Sequence, residues 1–76
     1  MQIVIASDRD RENLFAEIQI EDQPWAEVIF DDAARAYVLT IFGSSDPPWL
    51  TFDLAQVQTA LREARSALVA RGYPDV

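Results

Sequence analysis

The sequence predicts an α+β domain: a four-stranded antiparallel β-meander with one C-terminal α-helix packed across one face. Three observations predict it. Leu14, Ala16, Ile18 and Ile20 alternate with Phe15, Glu17, Gln19 and Glu21, and Ala26, Val28 and Phe30 alternate with Trp25, Glu27 and Ile29. Alternation with a period of two is the pattern of a half-buried strand. Leu54, Val57, Leu61, Ala64 and Leu68 recur at spacings of three and four, which makes one apolar stripe on a helix. The connections between the extended runs are short, which forces antiparallel neighbours. A chain of 76 residues with no internal repeat is one domain, spanning 1–76.

The elements follow in order. Residues 2–6 (QIVIA) form a β-rich run, and residues 7–13 (SDRDREN) are a polar connection. The second strand carries the first alternation. Glu21, Asp22, Gln23 and Pro24 make a turn, and the third strand is expected to start at or after Pro24, which cannot donate to a ladder. It runs through Phe30, and Asp31-Asp32-Ala33-Ala34-Arg35 turns into the fourth strand. Residues 36–42 (AYVLTIF) are apolar on both sides. Either Ala36, Val38, Thr40 and Phe42 or Tyr37, Leu39 and Ile41 face the helix, and the pattern fits both. Residues 43–48, with Pro47 and Pro48, read as a loop, and 49–52 as a short extended piece. Asp53 is placed as the helix N-cap, with Gln56 completing a capping box and Phe52 and Val57 as a hydrophobic staple. Gly72 is placed at the C-terminal turn, with Tyr73 closing onto Leu68 and Pro74 preventing continuation.

The composition narrows the chemistry. Cysteine, histidine and lysine are all absent, and the six cations are arginines. Thiol nucleophiles, zinc sites and the near-neutral proton shuttle are therefore excluded, and arginine is a poor acid–base catalyst. No catalytic residue, cofactor or metal site is expected. The enzyme alternative requires Tyr37 or Tyr73 beside a carboxylate whose pKa is raised by burial. With two glycines, no phosphate-binding loop can be written. Asp8, Asp10 and Glu12 alternate like calcium ligands. Asn13 and Gln19, however, occupy the positions where such a loop needs glycine and glutamate, and Arg9 and Arg11 interleave. Asp31 and Asp32 read as turn chemistry. The N-terminal apolar run is too short for a signal sequence, and no segment can span a membrane. The cytoplasm is the expected location.

The net charge is −7. Such an acidic chain is not expected to bind nucleic acid directly, and with no spanning segment no membrane is expected as a partner. Residues 1–38 hold nine acids against three arginines, so the negative charge concentrates there. A protein partner, itself basic, is the expected complement. Small acidic inhibitors, including immunity proteins that neutralise nuclease toxins, share this size and charge, with no shared motif. One helix shields one face of the sheet. The other face is expected to display Phe15, Glu17, Trp25, Glu27 and Ile29 as the partner-binding surface, since exposed aromatics and carboxylates on a sheet suit association. Trp49 is expected at the edge of the core. The alternative to a separate partner is a homodimer formed through the same uncovered face or through strand edges.

Overall fold

The computed structural model describes residues 1–42 and 51–76 of the chain. The expected loop at 43–48 and the placement of Trp49 lie outside the described residues. Strands β1 (Gln2–Ala6), β2 (Phe15–Ile20), β3 (Gln23–Asp31) and β4 (Ala36–Ile41) precede helix α1 (Leu54–Val69). The strands form one antiparallel sheet in the order β1-β2-β3-β4. This is the α+β meander with one C-terminal helix that the alternation and the apolar stripe require.

The β2–β3 turn is tighter than the sequence implies. Ile20 pairs with Gln23, so only Glu21 and Asp22 make the loop, and both have positive φ, 51° and 65°. Two left-handed residues give the turn whose twist matches the flanking strands. β3 consequently starts before Pro24, which pairs with Gln19. The register then shifts, because Ile18 is opposite Ala26. Trp25 is the extra residue of a β-bulge, a position that tolerates a neighbouring proline in the ladder. The β3–β4 turn is secured by Asp31, whose Oδ1 accepts the backbone N–H groups of Ala33 (3.0 Å) and Ala34 (3.4 Å).

α1 packs on β1, β2 and β3 through Ala60, Ala64 and Leu68. These meet Ala16, Ile18, Ala26 and Val28, with Ile3, Ile5 and Leu61 around them. Four of the seven buried cluster residues are alanines, so the helix backbone lies close to the sheet. Ala60 joins the buried stripe. Leu54, expected there, is 68% exposed at the helix start. Asp53 caps the helix by accepting the Gln56 N–H at 3.2 Å.

At the other end Gly72 (φ 100°) donates to Val69 O and Tyr73 to Leu68 O, which closes the expected Schellman turn. Tyr73 then reaches the sheet, and its hydroxyl accepts the Leu14 N–H at 2.8 Å. The register of β4 is settled by its pairing. Tyr37, Leu39 and Ile41 oppose Phe30, Val28 and Ala26 on the helix side. The Phe30 ring meets Tyr37 edge-on at 5.2 Å.

Candidate interaction face

The sheet face opposite α1 is built from two cross-strand rows. Val4, Glu17, Glu27 and Thr40 form one, and Ala6, Phe15, Ile29 and Val38 form the other. In the first row two glutamates stand directly opposite one another on β2 and β3. Like charges in that relation oppose sheet formation. The conflict is relieved by Arg11, from the connection between β1 and β2. Its guanidinium takes both oxygens of the Glu27 carboxylate, with Nη2 to Oε1 at 3.1 Å, and lies 4.4 Å above the centre of the Phe15 ring. Hydrogen bonding to Glu27 raises the Arg11 pKa above its ordinary value. Desolvation pulls it the other way, and the charges of Glu27 and Asp8 add to the rise. Glu17 accepts a hydrogen bond from Gln19 Nε2 at 2.8 Å.

The connection carrying Arg11 is itself stitched down. Asp8 accepts the N–H of Asp10 through Oδ1 (3.1 Å) and of Arg11 through its carbonyl (3.0 Å). Asn13 Nδ2 donates to Phe30 O (2.9 Å) and to Asp32 Oδ2 (2.8 Å). The Asp8 bonds shape the connection locally and Asn13 ties it to β3 and the β3–β4 turn, so Arg11 reaches over the sheet to Glu27.

Of the five residues expected on this face, four lie on it. Phe15, Glu17, Glu27 and Ile29 alternate outward from the helix as the period of two demands. Phe15 and Glu27 are nevertheless buried, at 9% and 6% exposure, beneath Arg11. Trp25 is not on the face. As the bulge residue it leaves the alternation, packs against the core cluster, and sets its ring 5.1 Å from Phe52, edge to face. The expected place of Trp25 on the partner-binding face beside Phe15 is therefore corrected.

On the sheet, exposed apolar side chains lie on β4 instead. Val38 (39%) faces away from the helix, while Leu39 (43%) and Ile41 (56%) sit on the helix side, beyond the strands that α1 covers.

Beside Val38, an open groove of about 390 Å³ runs between residues 11–13 and the β3–β4 turn. Ile29 and Val38 line its base, and Glu12, Asp31 and Asp32 stand around it. Among the described residues no group of carboxylates is gathered closely enough to hold a metal ion. The Asp8, Asp10 and Glu12 series forms a turn. The two tyrosine hydroxyls brace the fold: Tyr37 donates to Pro74 O at 2.6 Å, and Tyr73 accepts from Leu14.

Of the residues that shape this face, Arg11 was not anticipated from the sequence, and Val38 belonged to one of the two β4 registers left open there. Arg11 had one signal: a glutamate at an interior strand position needs a cation, and the preceding polar segment supplies one. Comparison with known proteins adds no relationship: no family model matches the chain, and no curated protein or solved structure matches it.

Proposed function

We propose that this chain is a non-catalytic protein-interaction module that docks a basic protein partner on the β3–β4 end of the sheet face opposite α1. The observation that supports it is the groove at Val38 and Ile29, an apolar floor beside three carboxylates, on the face α1 leaves uncovered. Apolar contact with a charged rim is the anatomy of a protein interface. The charge of −7 would speed encounter with a basic surface, and it suits an inhibitor that occupies one.

The test is a photo-crosslinking residue placed at Thr40 on this face, with Thr59 on the exposed side of α1 as control. A discrete adduct is expected at Thr40 and none at Thr59. The crosslinked partner, once purified, should bind the unmodified protein with an affinity that falls as salt rises. Val38→Arg should weaken that binding at least tenfold without lowering Tm. No adduct at Thr40, or equal adducts at both positions, overturns the reading.

A second reading, self-association, is favoured by β4 itself. It is an outer strand, its residues 36–41 carry no charge, and it exposes apolar side chains on both sides. Edge strands are usually guarded by charge or proline. Sedimentation at micromolar concentration decides between a dimer and a monomer.

A further inference from the structure

We infer that the groove between residues 11–13 and the β3–β4 turn is the seat for one long cationic side chain, arginine or lysine, from a basic segment of the partner protein. The inference rests on the interaction reading above and names what that face recognises. The groove has two kinds of wall, and together they match one kind of side chain. Ile29 and Val38 offer an apolar base. The stem of an arginine or lysine lies well on such a surface while its head reaches water or a counter-charge.

Glu12, Asp31 and Asp32 line the same groove and supply the counter-charge for that head. Arg11 is the one cation lining the groove, and it is committed to Glu27. Among the described residues the only other ion pair is Arg65 with Asp75, so none of the three carboxylates is held in an ion pair there. Residues 43–50 contain no cation that could supply one.

The hydrogen bonds already made leave acceptors available. Asp31 uses Oδ1 for the turn, and Asp32 uses Oδ2 for Asn13. Among the described residues Asp31 Oδ2 and Asp32 Oδ1 accept no bond. These carboxylates are held by structure rather than waiting loose in solvent, so little ordering is required when a cation arrives. The fit is to a cation with an apolar stem, since the carboxylates do not close around a point as a metal site requires.

The probe is a short neutral-backbone peptide, acetyl-Gly-Gly-Arg-Gly-Gly-amide, with lysine and citrulline counterparts, titrated into 15N-labelled protein. Arginine and lysine peptides should move the amide signals of residues 12–13, 29–33 and 38 saturably. Citrulline, which has nearly the shape of arginine without its charge, should leave them within about a fifth of that shift.

The triple variant Glu12→Gln, Asp31→Asn, Asp32→Asn keeps one acceptor oxygen at each position, enough for the turn and Asn13 bonds, and removes the charge. It should cut the response at least fivefold. Glu21→Gln, Asp22→Asn, Glu63→Gln removes the same charge elsewhere and should keep it within twofold. Equal loss in both triples, shifts spread over the whole surface, or an equal citrulline response overturns the inference. Failure of the underlying reading appears separately, as the absence of the Thr40 adduct.

Discussion

The guanidinium of Arg11 clamps the carboxylate of Glu27 across 16 residues of chain, with the Phe15 ring beneath it. This places a charge on an interior strand position at 6% exposure and satisfies it there. The pair also separates Glu27 electrically from Glu17, its neighbour on β2. Removing Arg11 therefore leaves a buried carboxylate facing a second carboxylate.

Arg11→Ala is expected to lower Tm by about 5 °C or more, a large effect for a residue on a polar connection. Glu27→Gln in the Arg11→Ala background should recover part of the loss, because the stranded charge is gone. Thermal denaturation of the two single variants and the double variant checks this, and additive losses would contradict it.

Trp25→Ala is expected to destabilise the fold by about 1–3 kcal/mol, below the usual cost of a fully buried aromatic because Trp25 is only half-buried. The loss is of packing against Phe52 and the core cluster. Urea unfolding measures it. Partner binding under native conditions should be unchanged, whereas a residue of the docking surface would lose binding without losing stability.

Ala64→Leu is expected to cost about 1–3 kcal/mol by overpacking, because Ala64 is fully buried among Ala16, Ala26 and Ala60 where helix and sheet approach closely. Chemical unfolding of this variant beside Ala67→Leu, which substitutes a position outside the buried stripe, separates overpacking from helix propensity.

Burial raises the Tyr37 phenol pKa above its ordinary value of 10.0. Asp75 and Tyr73 add to the rise, and Arg65 partly opposes it. The neutral phenol is the form the fold favours. Its contribution is complete below pH 10 and is lost as pH climbs from there through the raised folded value. Tyr37→Phe removes the hydrogen bond to Pro74 O and should cost about 0.5–1.5 kcal/mol at neutral pH. Above pH 10 the gap between variant and wild type should narrow, because the variant has no phenol to ionise. Parallel denaturation curves from pH 7 to 12 check this.

The elements were legible in the chain because they depend on neighbours. Alternation from Leu14 to Glu21 requires a strand whatever it packs on, and Asp53, Gln56 and Gly72 delimit a helix by satisfying its own terminal N–H and C=O groups. The β4 register was not legible, since residues 36–42 are apolar on both sides and only pairing with β3 chooses. Trp25 was misplaced for a related reason. A bulge inserts one residue into a strand without altering the pattern that flanks it, and the alternation then assigns that residue to the wrong side. Leu54 fits the helical stripe by spacing, yet it stands 68% exposed in the first turn, outside the buried set of Ala60, Ala64 and Leu68.

The candidate site divides along the same line. The sequence by itself determined that a negatively charged, cysteine- and histidine-free chain would fold as a meander with one helix, and that Phe15, Glu17, Glu27 and Ile29 would share the face away from it. Tertiary structure alone decided that Arg11 buries two of them and that accessible apolar side chains lie on β4, with Val38 on that face. The period of a strand sets which side a residue points to. Whether that side is wet depends on a polar connection whose course is set by hydrogen bonds to residues distant in sequence, such as Asn13 to Phe30 and Asp32.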